Sequence, residues 1–317
     1  MAEAFIQANH LKKYFKTPRG MLHAVDDVTL SIPKGKTLGI VGESGCGKST
    51  LGRLMLNLLE PTSGEMLLDG QNIYKLRSSQ MKKMRTRAQM IFQDPYSSLN
   101  PRMSVSEIIA EPIIANDLIK NRQDIQKRVE ELMDTVGLAQ RFINAYPHEL
   151  DGGRRQRIGV ARALAVNPEF IVCDEPVSAL DVSIQAQILN LMMDLQDELG
   201  LTYVFITHDL SVVKHISDEI AVMYLGQCVE RVPSKELFQN PLHPYTKALL
   251  SAIPIPDLST RGRKRQFLTG EVKSPIEPKP GCRFAARCPN ATAACAEHVC
   301  NLKEVKPNHF VSCVLYE

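Results

Sequence analysis

The run Gly42-Glu43-Ser44-Gly45-Cys46-Gly47-Lys48-Ser49-Thr50 restricts what this chain can fold into more than any other feature, because it matches G-x-x-x-x-G-K-[ST]. It lies between a strand-like apolar run, Thr37 to Val41, and a helical pattern from Ser49 to Leu59 that Glu60-Pro61 closes. Strand, glycine-rich loop and helix in that order make a phosphate cradle. Backbone N–H groups turn inward, the helix start presents the positive end of its dipole, and Lys48 neutralises the β- and γ-oxygens. Gly42 through Thr50 are expected to bind a nucleotide's phosphates, with the Ser49 hydroxyl on Mg²⁺.

A second apolar run, Phe170 to Cys173, ends in Asp174-Glu175. A buried strand that delivers two acids to its C-terminal edge supplies the other half of such a site. Asp174 is expected at Mg²⁺ and Glu175 as the general base that polarises the attacking water. A third run, Tyr203 to Ile206, follows the helical stretch Ser183 to Leu199. Strands alternating with helices predict an α/β fold with a mainly parallel sheet. Further helical patterns occupy Ser106 to Ala115 and Ile125 to Val136, within a mostly helical region of about 100–165. After Asn240 prolines recur, at 241, 244, 254, 256, 275, 278 and 280, and a boundary is expected there: 1–240 as one domain, 241–317 as a C-terminal extension.

Composition excludes several classes. With 44% apolar residues the chain can bury a substantial core, and its net charge of +3 lacks the excess of a nucleic-acid binder. The dense basic run Arg261 to Arg265 reads as a solvated linker. No stretch approaches the ~20 apolar residues that span a bilayer, and the N-terminus has no signal-peptide pattern, so a cytosolic location with membrane attachment through partners is expected. Of the eight cysteines, Cys282, Cys288, Cys295, Cys300 and Cys313 crowd the end of the chain, which in a reducing compartment favours a metal site over disulfides.

What separates this chain from helicases, kinases and GTPases lies between and after the two motifs. Leu150-Asp151-Gly152-Gly153-Arg154 precedes the helical run Ile158 to Ala165; Ser178-Ala179-Leu180-Asp181 follows the acids; His208 follows the third strand. Gln93 stands in Ile91-Phe92-Gln93-Asp94-Pro95, and Phe15 in Leu11-Lys12-Lys13-Tyr14-Phe15. In these elements the sequence resembles the ATP-binding-cassette (ABC) family, whose signature loop reads L-S-G-G-Q. The resemblance implies a P-loop core with an N-terminal antiparallel β subdomain and a helical signature subdomain. It also implies head-to-tail pairing with a second cassette, an adenine contact from Phe15 or Tyr14, γ-phosphate contacts from His208, and a Gln93 that meets Mg²⁺ and water while relaying nucleotide state. Residues 150–154 would act in trans and 178–181 would form the D-loop.

Asp151 and Arg154 replace the family's serine and glutamine. An ionised carboxylate near a γ-phosphate repels it unless Arg154 or Arg155 compensates, so two unequal ATP sites, in a pair of different cassettes, are expected.

The stretch Phe92 to Arg102 and the run Asn240-Pro241-Leu242-His243-Pro244-Tyr245-Thr246 look like the oligopeptide/dipeptide/nickel importer ATPases. That likeness implies an ATPase that powers import of peptides or related solutes, nickel included, from the cytoplasmic face of the membrane. Two permease subunits and a separate solute-binding protein would accompany it, and nucleic acid would not; soluble ABC ATPases that clamp nucleic acid are the competing class. It also implies a [4Fe–4S] cluster on Cys282, Cys288, Cys295 and Cys313. The residues alone leave zinc open, and Cys300 as a substitute ligand, because spacings of x5, x6 and x17 fit neither zinc ribbons nor ferredoxins.

Overall fold

The computed structural model describes residues 4–253 and 274–317, so prolines 254 and 256 and the basic run 261–265 lie outside the described residues. Strands β1 (Ala4–Thr17) and β2 (Gly20–Pro33) form a long antiparallel hairpin that pairs through β1 with β4 (Ser63–Leu68), which pairs with β5 (Gln71–Asn72). Between them run β3 (Thr37–Val41) and α1 (Lys48–Met55). Helix α1 stops a turn before the predicted Leu59, because Asn57 takes a left-handed conformation at φ 52°.

Next come α2 (Ser78–Arg87), β6 (Ala88–Ile91), α3 (Pro95–Ser98), α4 (Val105–Ala115), α5 (Arg122–Thr135) and α6 (Gly152–Leu164). Helix α4 opens on a capping box of Ser104 and Glu107. Then β7 (Phe170–Asp174), α7 (Val182–Leu199), β8 (Thr202–Thr207), α8 (Leu210–Ile216), β9 (Glu219–Tyr224) and β10 (Gln227–Pro233) complete the main body. Strands β3, β7 and β8 are buried at every position, as parallel strands covered on both faces must be. One apolar cluster gathers α4 to α8 with one sheet face, and the other gathers α1 with β1, β2 and β4.

The C-terminal part contains α9 (Ser234–Gln239), α10 (Pro244–Ala252), α11 (Ala294–Glu297), β11 (Lys303–Lys306) and β12 (His309–Val311). It is stitched into the main body. Strand β12 pairs with β10, giving a sheet of order β11-β12-β10-β9-β3-β8-β7-β6. Buried Glu230 of β10 accepts from Leu242 N (2.7 Å), His243 N (3.0 Å) and His309 Nε2 (2.7 Å), tying the start of α10 and strand β12 to one carboxylate. Among the described residues no helix is long and apolar enough to cross a membrane.

Candidate nucleotide site

Four neighbouring strands, β3, β8, β7 and β6, run parallel, so their C-terminal ends share one edge of the sheet. That edge is where an α/β fold binds its ligand. It carries, in spatial order, the loop 42–50, His208, the pair Asp174-Glu175, and Gln93. Loop geometry depends on glycine: Gly42 (φ 154°) and Gly47 (φ 103°) have positive φ, and a Cβ on either would strike a backbone oxygen, of Met223 and Ala24 respectively. Ser44 and Gly45 are exposed at the tip, and Thr50 is half-buried in the helix start.

Lys48 is buried and its ammonium donates to Gly42 O (2.7 Å) and Glu43 O (3.0 Å), with Cys46 Sγ 3.9 Å away. Burial pushes the Cys46 thiol up, which keeps it a neutral packing group beside this cation. Ser49 Oγ donates to Asp174 Oδ1 at 2.7 Å. Burial raises the Asp174 carboxyl above the usual range in spite of that bond. A hydroxyl and a carboxylate oxygen in contact at the foot of the loop are the hard donors Mg²⁺ takes, one or two at a time, with the rest of its shell from phosphate and water.

Glu175 has a positive φ of 46°, an uncommon conformation for a residue with a side chain. Its carboxylate accepts from Gln93 Nε2 (2.9 Å), and His208 Nδ1 lies 3.2 Å from its other oxygen. Three residues taken separately from sequence thus meet at one carboxylate.

On the adenine side, Tyr14 and Phe15 differ. The Tyr14 ring stacks on His23 with centroids 3.9 Å apart, and its hydroxyl donates to Asp26. Phe15 is half-buried and, among the described residues, its ring stacks on no other ring; the Lys13 ammonium lies 5.1 Å from its centroid. Tyr14 is therefore held by partners within its own chain, unlike Phe15.

The signature segment opens α6. Leu150 is buried, and Asp151 is the N-cap, accepting from Arg154 N at 2.8 Å while Arg154 Nη1 reaches its other oxygen at 2.7 Å. Arg154, and not Arg155, is the compensating cation: Arg155 donates to Pro147 O and lies over the Tyr96 ring. The carboxylate is thus neutralised and turned onto its own helix, which weakens the repulsion expected from sequence. Gly152 and Gly153 allow close approach of the D-loop region, since a Cβ on them would meet Leu180 at 3.0 Å and Ile184 at 2.7 Å. Ser178 Oγ donates to Glu175 O, Ala179 continues the turn, and Asp181 caps α7 through Ile184 N at 3.1 Å.

The C-terminal cysteines occupy one neighbourhood: Cys282 N donates to Cys295 O, and the Cys282, Cys288 and Cys313 thiols, pushed up first by burial, also feel neighbouring thiols. Among the described residues, however, no three His, Cys, Asp or Glu side chains are placed to hold a metal ion. The donor chemistry suits a soft metal, but the thiol positions do not form a ligand set.

Sequence reasoning missed the contacts that the C-terminal part makes with the nucleotide loop and with β2 beside it. Arg287 grips Glu43, Arg283 grips Asp26, and the Tyr245 hydroxyl accepts from Glu43 N at 3.0 Å. Arg283 and Arg287 stand inside the cysteine motif, next to Cys282 and Cys288 respectively.

Fold and site together define a P-loop ATPase cassette. Comparison with known families refines this. Residues 25–178 match the model described as ABC transporter, and residues 229–295 match the model described as the oligopeptide/dipeptide transporter C-terminal region. The chain is 52% identical to the oligopeptide transport ATP-binding protein AppF of Bacillus subtilis, over 99% of this chain and 98% of that one. It is 49% identical to the dipeptide transport ATP-binding protein DppF of Haemophilus influenzae, over 97% and 95% respectively. A solved dimeric ATP-binding cassette in a post-hydrolysis state with ADP and Pi superposes with a TM-score of 0.67 at 30% identity, covering 72% of this chain and 98% of that one. This chain belongs to the ABC transporter ATPases of the oligopeptide/dipeptide importer family.

Proposed function

We propose that this chain hydrolyses MgATP in a composite site closed by a second, different cassette, and that the cycle drives peptide uptake through two permease subunits fed by a solute-binding protein. The observation that carries the reading is the meeting of Gln93 and His208 on Glu175, beside the Ser49–Asp174 pair. When nucleotide enters, Lys48 exchanges two backbone carbonyls for the β- and γ-oxygens, and Phe15 stacks on adenine. Bound Mg²⁺ would be held by Ser49, Asp174 and Gln93 and would screen the phosphate charge. Glu175 takes a proton from the attacking water, and His208 turns to the γ-phosphate. The second cassette supplies its signature loop to this site, as residues 150–154 here supply theirs to the partner's, and residues 178–181 carry the change between sites.

A groove beside Gln93, lined by Leu58, Lys82, Arg85, Phe92, Glu111 and Arg162, offers the permease a mixed apolar and basic seat. Attachment there would hold the chain peripherally at the cytoplasmic face. Residues 1–240 act as the nucleotide-binding unit, with 241–317 as an accessory extension. Within it, Cys282, Cys288, Cys295 and Cys313, with Cys300 in reserve, are proposed as a soft-metal site for a [4Fe–4S] cluster or zinc, which requires the thiols to draw together. Their number and grouping support this reading. Iron, sulfide and zinc assays on anaerobically purified protein test it, and absence of all three removes it.

The transport assignment is tested in proteoliposomes containing the assembled transporter. Peptide-loaded binding protein should stimulate ATP hydrolysis and peptide entry. Stimulation by another solute class with none by peptide would overturn the substrate, and no ATP hydrolysis at all would overturn the reading.

A further inference from the structure

Glu43 is an acid in a loop that has to accept a polyanion. Its charge is met by Arg287, whose Nη1 and Nη2 donate to Oε2 (2.8 Å) and Oε1 (3.1 Å), a fork-to-fork pair with the guanidinium side chain only 8% exposed. Lys48, the nearest loop cation, is turned onto backbone carbonyls. The peptide of Glu43 is held as well: its N–H donates to the Tyr245 hydroxyl, and its carbonyl accepts from Lys48. Tyr245 packs with Tyr224 and Phe284 at centroid distances of 4.6 and 5.4 Å, so the phenol that fixes the loop sits on the turn that launches Arg287. Four residues earlier Arg283 does the same for the adenine side, donating to Leu225 O and to Asp26, the carboxylate that also holds Tyr14 and His23. Two arginines of one cysteine-bearing segment, their side chains only 7% and 8% exposed, therefore reach both ends of the nucleotide site.

We propose that Arg287 is a positioning residue for ATP: it neutralises Glu43 and fixes the phosphate loop in its binding conformation, so that the C-terminal cysteine segment sets the affinity of the nucleotide site. The proposal rests on the assignment of 42–50 as that site. Without Arg287 the Glu43 carboxylate faces the triphosphate unpaired and repels it. The effect belongs to binding, because Arg287 reaches none of the groups around Glu175.

Calorimetric titration of the full-length chain with MgATP tests this. Arg287→Ala should weaken binding about tenfold, Arg287→Lys should weaken it less, and in the assembled transporter KM for ATP should rise while kcat stays within about twofold. The deciding arm is Glu43→Gln combined with Arg287→Ala. Removing the orphaned charge should restore most of the affinity, a rescue that loss of packing alone does not give. Unchanged affinity in Arg287→Ala, or a double variant as weak as Arg287→Ala, overturns the proposal. If Arg287→Ala does not fold, Arg287→Gln, which removes the charge but keeps most of the side chain, decides, and wild-type affinity in that variant overturns it. A wild-type chain that binds no MgATP, or a Lys48→Ala variant that binds as tightly, would instead sink the nucleotide-site assignment itself.

Discussion

Gln93 Nε2 donates to Glu175 Oε2 at 2.9 Å, joining the loop after β6 to the acid at the end of β7. Gln93 thus orients the carboxylate that is proposed to activate water, and it directly follows Phe92, which lines the groove proposed for the permease. Gln93→Ala leaves the Glu175 carboxylate, among the described residues, with His208. Hydrolysis in the assembled transporter should fall roughly 10- to 100-fold, and stimulation by loaded binding protein should be lost, both measured as phosphate release.

Asp174 is held at a cost when no nucleotide is bound. Burial raises its folded pKa above the unfolded value, so the folded carboxylate is penalised at neutral pH and relieved as pH falls through the folded pKa. Asp174→Asn removes the charge and should raise the melting temperature of the nucleotide-free chain by roughly 2–4 °C. Stabilisation by Mg²⁺ with ATP should shrink in the same variant, read by calorimetry.

Asp151 and Arg154 answer each other, and the pair yields a prediction that neither residue gives alone. On the proposed pairing of two cassettes, Arg154→Gln leaves the Asp151 carboxylate uncompensated toward the partner's γ-phosphate and should lower turnover at the partner's site. Adding Asp151→Ser should restore it, because serine both caps α6 and donates to phosphate. Asp151→Ala, with no cap, should cost about 1 kcal/mol of stability in urea unfolding.

Burial depresses the pKa of His243 from its ordinary 6.5 to about 4. The unfolded chain therefore binds a proton that the folded one refuses, so stability is intact above pH 6.5 and declines as pH falls toward 4, by about 3 kcal/mol at the lower limit. His243 Nδ1 accepts from Tyr245 N at 3.1 Å, so asparagine can keep that cap. His243→Asn should flatten the pH dependence of urea unfolding across this window.

The parts of the site that one stretch of chain supplies were legible in sequence. The glycine spacing of 42–47 follows from local sterics, and the apolar runs 37–41, 170–173 and 203–206 mark strands because both their faces are covered. Asp151 was legible as a charge but not as a cap, since its geometry depends on where α6 starts. What could not be read joins residues far apart: Arg287 to Glu43 across 244 positions, and His309 to Glu230 across 79. Strands β11 and β12, of four and three residues, are too short to leave a periodic pattern, and they exist because β10 offers an edge.

ATP turnover with Glu175→Gln in this chain and a wild-type partner tests the central claim most directly. If Glu175 is the base, hydrolysis at this site falls by about 10²- to 10⁴-fold, while MgATP still binds and holds the two cassettes together. Turnover at the wild-type rate, with nucleotide bound as before, would contradict it.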